Sequence, residues 1–188
     1  MNSTPVKAAI AAVLLVLGLI VGWFGHKAAH SPPDIPTVAV YDDWRVLCPQ
    51  TTTKDATCEI QQDVLDAKSH SELARLSVFK VKDADTLLVT VPFNVLLEPG
   101  IGIGLGNSDK PRVFPFETCN GVGCLVRIPF DEKLASDISG AQQPRILFAG
   151  LDGKPVGLPF SLKGYKDALA AYNNAEAKRR SWWRRLWS

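Results

Sequence analysis

Apolar and polar positions change their rhythm along this chain, and the changes mark its parts. Ala8 to Phe24 (AAIAAVLLVLGLIVGWF) holds 17 positions without a charge or a proline. As a helix it spans ~26 Å at about 1.5 Å per residue, slightly less than a hydrocarbon core of roughly 30 Å. Lys7 and Lys27 flank it and can snorkel to make up the difference, and Trp23 suits an interface. The segment is apolar on every face, which suits lipid better than a protein core. Its ten Leu, Ile, Val and Phe residues supply roughly −3 to −6 kcal/mol of insertion free energy.

Beyond the Pro-rich run Ser31 to Pro36 (SPPDIP), a stiff linker assigned to residues 31–40, the rhythm becomes one of short strands. Trp44 to Cys48 and Cys58 to Val64 come first. Leu73 to Val81 alternates, with Leu73, Arg75, Ser77, Phe79 and Val81 opposed to Ala74, Leu76, Val78 and Lys80. Asp85–Thr86 open another strand that ends at Pro92. Arg112 to Cys119, Cys124 to Phe130, Arg145 to Ala149 and Val156 to Leu162 continue the series, with Leu151 to Lys154 as a hairpin turn. Only Asp131 to Ser139 reads as helix among them, with acidic residues in its first turn. Strands at these intervals without long intervening helices predict an all-β, immunoglobulin-like antiparallel sandwich over residues 41–172. A helix starts at Gly164 to Tyr172, and no strong breaker stops it before the basic, Trp-rich tail at 173–188.

Charge sharpens this division. The net charge is +2, yet residues 34–177 carry all 19 acidic residues, and the last eleven residues carry five basic ones. The expected protein is a mildly acidic domain between two membrane-friendly ends (residues 1–30 and 173–188), and no nucleic-acid partner is expected. In KRRSWWRRLWS, Trp182, Leu186, Trp183 and Trp187 cover an arc of about 140° at roughly 100° per residue, opposite Arg184, Ser181 and Arg185. Arg179 falls within the apolar arc. Lys178, Arg179, Arg180, Trp182, Trp183, Arg184, Arg185, Leu186 and Trp187 are the candidate contacts to an anionic bilayer surface. A protein partner or a disordered basic end are the competing readings.

Four cysteines stand at Cys48, Cys58, Cys119 and Cys124. The spacings do not suit a zinc site, and the histidines (His26, His30 and His70) do not complete one. An even count beyond an export-type segment predicts two disulfides and a non-cytoplasmic domain. Three pairings are open. Local pairing is preferred because each pair brackets turn-like residues, with free thiols as the alternative. Cleavage after Gly25, Ala28 or Ala29 would put Trp23, His26 or Lys27 at position −3, so an uncleaved anchor is favoured over a signal peptide.

Little chemistry is visible. His70 sits in a polar string, and Asp42–Asp43 and Asp131–Glu132 suit turns and caps. Gly100, Gly102, Gly104 and Gly106 alternate with Ile101, Ile103 and Leu105, which predicts a strand with one bare face. Close packing explains it; a docking groove for another strand or a ligand is the sharper reading. No metal, cofactor or catalytic residue is expected.

Several fragments are familiar as a set. W-R-V-x-C (Trp44 to Cys48), C-x-I-x-Q (Cys58 to Gln62), V-P-x-x-V-x-L (Val91 to Leu97), F-x-x-C…G-C (Phe116 to Cys124) and S-L-x-G-Y-x-x-A-L (Ser161 to Leu169) occur in that order. The chain thereby resembles the invasion-associated locus B family of alphaproteobacteria. That resemblance implies an exported, disulfide-bonded sandwich with no established enzymatic activity and, in some members, a link to host-cell invasion. A usual member has a cleavable signal and ends near the G-Y-x-x-A-L helix, whereas this chain has an apparent anchor and a Trp/Arg-rich extension. The expectation is a single-pass inner-membrane protein with a periplasmic binding domain docking onto a membrane-protein complex. A secreted or envelope invasion factor is the alternative, and a hydrolase the third reading.

Overall fold

The structure, a computed structural model, describes residues 12–22, 36–50, 56–106 and 110–180. Residues 12–22 form helix α1 in a unit of their own, residues 1–34. Its described length is eleven residues, about 17 Å. Among the described residues no helix is long and apolar enough to cross a membrane. Positions 8–11, 23 and 24 of the predicted span lie outside the described residues.

The second unit is built from two antiparallel sheets. The larger has the order β1-β2-β3-β4-β5-β10-β9, from β1 (Thr37–Tyr41), β2 (Trp44–Cys48), β3 (Glu59–Leu65), β4 (Glu72–Val81), β5 (Ala84–Val91), β9 (Thr118–Asn120) and β10 (Gly123–Pro129). The smaller runs β12-β11-β7-β8, from β7 (Ile101–Gly104), β8 (Arg112–Phe114), β11 (Arg145–Gly150) and β12 (Pro155–Pro159), with the short β6 (Val95–Leu96) also paired to β11. Most neighbours in the larger sheet are joined by hairpins, which explains the even spacing of its strands. The β4–β5 hairpin turns through Lys82 and Asp83, both at positive φ, as a two-residue type I′ turn requires.

Alternation decides which face is buried. Ala74, Leu76 and Val78 of β4 point inward with Ile60, Leu87, Val89, Val126 and Ile128. Ile101, Ile103 and Ile146 of the smaller sheet belong to the same core. Helix α2 (Glu132–Gly140) adds Leu134 and Ile138. It begins where predicted, because Asp131 caps it by accepting from the Leu134 N–H at 2.7 Å. Helix α3 (Tyr165–Arg180) lies along β1, β2 and β3 and buries Tyr165, Ala168, Tyr172 and Glu176. The spacing of these four places them on one face of the helix.

Four expectations are corrected. The linker does not extend to residue 40, because Thr37–Tyr41 is a strand paired along its length with β2. Arg112 to Cys119 is not one strand: β8 belongs to the smaller sheet and β9 to the larger, with the switch at Pro115, which has no N–H for a ladder. The last strand stops at Pro159 rather than Leu162. Finally, residues 173–180 belong to α3 and to the folded domain, not to a separate tail.

Candidate functional site

Three of the five motif fragments meet at one place. The indole N–H of Trp44 donates to the Ser161 carbonyl at 2.9 Å. The Gln62 amide donates to the same carbonyl and accepts from the Ser161 N–H, both at 3.1 Å. Trp44 also packs its ring against Tyr165, with centroids 5.0 Å apart. Gly164, between them in sequence, has φ +78, and a Cβ there would lie 1.9 Å from the Tyr41 carbonyl oxygen. Only glycine fits this close approach of the α3 start to the β1–β2 hairpin. The W-R-V-x-C, C-x-I-x-Q and S-L-x-G-Y fragments are therefore parts of one lock holding α3 and its leading turn to the sheet.

The far end of α3 is held as tightly. Glu176 is buried and accepts from the Cys58 N–H at 2.6 Å. Arg179 donates to the Pro49 carbonyl at 2.8 Å and twice to the Ala56 carbonyl, at 3.1 and 2.8 Å. Its guanidinium thus joins the two shoulders of the Cys48–Cys58 loop, so its place in the apolar arc of the tail has a structural cause. Arg180 pairs with Asp83 at 3.2 Å, and Lys178 is exposed. One turn before Glu176, the Tyr172 hydroxyl donates to Asp85 at 2.6 Å, and Lys80 reaches the same carboxylate oxygen at 2.6 Å. Burial foremost, then Asp85 and Glu176, push the Tyr172 phenol well above its ordinary range. Burial does the same to Tyr165, whose hydroxyl is buried and has no hydrogen-bond partner among the described residues.

The cysteines pair locally, Cys48 with Cys58 and Cys119 with Cys124. The second bridge crosses adjacent strands, since Cys119 and Cys124 are opposed in the β9–β10 ladder. The glycine strand resolves in favour of packing. β7 is hydrogen-bonded on both edges, to β11 and β8, and a Cβ on Gly102 or Gly104 would press on Leu147, at 3.3 and 3.4 Å. Gly100 has φ +72 and approaches the Phe114 carbonyl. Gly106 lies beyond the strand. Among the described residues, Gly102 is paired on both edges, and the bare face at Gly102 and Gly104 lies against Leu147. Trp182, Trp183, Arg184, Arg185, Leu186 and Trp187 lie outside the described residues.

The solvent side of the larger sheet carries a charge ladder that the sequence reading missed. Asp63 accepts from Arg45, Gln61 and Arg75, and Arg75 reaches on to Glu72. Cross-strand register brings them together, with Asp63 opposite Arg75. Burial of Asp63 opposes ionisation, but hydrogen bonds from Arg75 and Gln61 and the charges of Arg45 and Arg75 outweigh it and hold its pKa below the ordinary value. A carboxylate held ionised in this way suits structure or recognition; a general base works best with a pKa near the operating pH. Shallow grooves of about 470 and 390 Å³ flank the ladder, the first reaching Asp42, Phe160 and Ser161, the second Thr90, Phe93 and Val122. His70 sits at positive φ in an exposed turn that Asp66 organises by accepting from the Lys68 and Ser69 N–H groups.

The family model described as invasion associated locus B (IalB) protein matches residues 44–173. The chain belongs to the IalB family. Among solved structures, the crystal structure of invasion associated protein b from Bartonella henselae is similar in fold. It superposes with a TM-score of 0.64 at 17% identity, covering 75% of this chain and 99% of that one. No curated protein matches the sequence. The family match begins at Trp44 and ends one residue past Tyr172, so it takes in the motif lock of this IalB domain. The β1 strand and the last seven described residues of α3 extend past it. Neither the IalB family nor this structural neighbour is known as an enzyme.

Proposed function

We propose that this IalB protein is a non-catalytic binding module tethered to the inner membrane by its N-terminal apolar segment, with the sandwich in the periplasm. In that place it serves as an accessory subunit docking onto a membrane-protein complex. The observation that carries the reading is the use of the motif residues. Trp44, Gln62, Ser161, Gly164 and Tyr165 hold the fold together, so the recognisable part of the sequence supports a scaffold, and the exposed charge ladder with its two grooves is left for recognition. The two disulfides suit an oxidising compartment. The 17-residue apolar segment, uninterrupted by charge, supports the tether.

A second reading is an envelope or secreted factor that promotes host-cell invasion. It is favoured by the family's description and by that of the Bartonella structure. Affinity purification of the full chain from detergent-solubilised membranes separates the two. A stoichiometric membrane complex, lost when Arg45 and Arg75 are both changed to Ala, is the expected result. Recovery of the protein chiefly from medium or outer membrane, without such a complex, would replace the first reading with the second.

A further inference from the structure

Two of the five sequence fragments take no part in the α3 lock, and they meet elsewhere. Val91, Pro92 and Phe93, from the Val91 to Leu97 fragment, line the groove of about 390 Å³ together with Val122, from the Phe116 to Cys124 fragment. Phe93 and Val122 are its exposed apolar residues, at 56% and 74%, and Arg75 of the charge ladder shares the lining. Val122 stands in the turn between β9 and β10, which the Cys119–Cys124 bridge closes. The two sides of that turn are held unequally. On the β10 side, Cys124 lies opposite Val91 and Leu125 opposite Thr90. Gly123, at φ +147, comes so near β5 that a Cβ there would lie 2.4 Å from the Val91 carbonyl oxygen. On the other side, β9 is three residues long and ends the order of the larger sheet, pairing with β10 alone among the described residues. Beside that short ladder stand the Glu117 N–H, donating to the Leu125 carbonyl at 2.9 Å, and an exposed Glu117–Arg127 ion pair at 3.1 Å, a kind of contact worth little in water. Phe116 is half-buried against the core and fixes where this segment starts.

The two disulfides differ in the same sense. Cys48 is half-buried on β2, between β1 and β3, and lies opposite Thr37. Cys58 is fully buried, with its N–H on Glu176, and Arg179 holds the carbonyls of Pro49 and Ala56 on either side of the loop. Opening this bridge leaves both cysteines in place, ready to close again. Cys119, by contrast, is exposed on the edge strand, while Cys124 is buried. Exchange needs a thiolate to reach one sulfur of the bridge, and Cys119 is the accessible member. Once the bond is cut, little else holds β9, and a lightly held edge opens at low cost.

We infer that Cys119–Cys124 is a thiol-exchange site that controls this groove: a dithiol protein reduces it, β9 and its turn leave β10, and the groove loses its Val122 wall, while Cys48–Cys58 stays closed. The inference rests on the recognition role proposed above for the grooves and adds its regulation. In the first step a thiolate of the dithiol attacks the Cys119 sulfur. A mixed disulfide forms there, the bond to Cys124 breaks, and its electron pair leaves on the Cys124 sulfur, which takes up a proton. The second thiolate of the dithiol then attacks its own partner sulfur in the mixed disulfide and releases Cys119, which is protonated in turn. The dithiol ends as a disulfide, and its two electrons and two protons end on Cys119 and Cys124.

Graded dithiothreitol on the full chain in detergent tests this, with N-ethylmaleimide labelling and peptide mass mapping to read the order of reduction. Cys119 and Cys124 should be labelled about tenfold faster than Cys48 and Cys58. Hydrogen–deuterium exchange at the same dithiothreitol steps should quicken at 117–123, while 59–65 and 165–180 keep their protection. Labelling of Cys48 and Cys58 first, or of all four cysteines together, would overturn the proposal. So would labelled Cys119 and Cys124 with unchanged exchange at 117–123. In the affinity purification described above, a chain reduced at this bridge alone should lose the complex that the oxidised chain retains, and undiminished recovery would overturn the link to the groove. An oxidised chain that recovers no complex would overturn the recognition reading instead, with labelling and exchange still deciding whether this bridge is the one that opens.

Discussion

Tyr165 and Tyr172 stand seven residues apart on the buried face of α3 and differ in one respect. The Tyr172 hydroxyl has a carboxylate partner in Asp85, whereas that of Tyr165 has no partner among the described residues. Removing a satisfied hydroxyl leaves its partner wanting, while removing an unsatisfied one relieves a desolvated group. Tyr172→Phe should therefore cost about 1–2 kcal/mol, and Tyr165→Phe should be neutral or stabilising by up to ~1 kcal/mol, in urea unfolding at neutral pH. Both phenols are raised in the folded state. Their contribution is intact below the unfolded phenol value of about 10 and is lost as pH rises above it, by roughly 1.4 kcal/mol per pH unit for each tyrosine. Unfolding measured across that range should steepen with pH, and Tyr172→Phe should remove about half of these two residues' slope. A larger loss from Tyr165→Phe than from Tyr172→Phe would contradict the assignment.

At the scale of elements, α3 belongs to the domain along its described length. Ending the chain after Tyr172 removes Glu176 and Arg179, leaving the Cys58 N–H and the Pro49 and Ala56 carbonyls without them. That should cost on the order of 3–5 kcal/mol, measured as a drop in thermal midpoint with both disulfides intact. The sequence made some of this plain. Trp44 to Cys48 was legible because an apolar alternation ends on a cysteine, and Asp131 announced a helix start. Local disulfide pairing followed from turn residues between the partners. Other parts were hidden for physical reasons. Arg179 acts on backbone carbonyls 123 and 130 positions away, and backbone acceptors leave no residue signature. β1 follows a run of prolines and, among the described residues, pairs with one strand, its hairpin partner β2. The Asp63 ladder needed the register of three strands. Pro115 did carry the signal for the strand switch, in a run whose apolar residues suggested continuity.

For the whole molecule, the two bridges each close a short loop, with separations of 10 and 5 residues. Each should contribute about 2–3 kcal/mol by restricting the unfolded chain, a contribution lost on reduction. The Cys48–Cys58 bridge has a further role, because its loop is where α3 ends and near where β1 begins. In the proposed function, the charge ladder around Asp63 and its two grooves are the surface offered to a partner. The central claim is that the N-terminal segment stays on the protein and holds the oxidised domain in the membrane. Intact-mass measurement of protein recovered from alkali-washed membranes of the native cell tests it most directly. The predicted result is the full-length mass, near 20.5 kDa, with both disulfides formed. A mass shortened by loss of the first 25–30 residues, found in the soluble fraction or the medium, would contradict it.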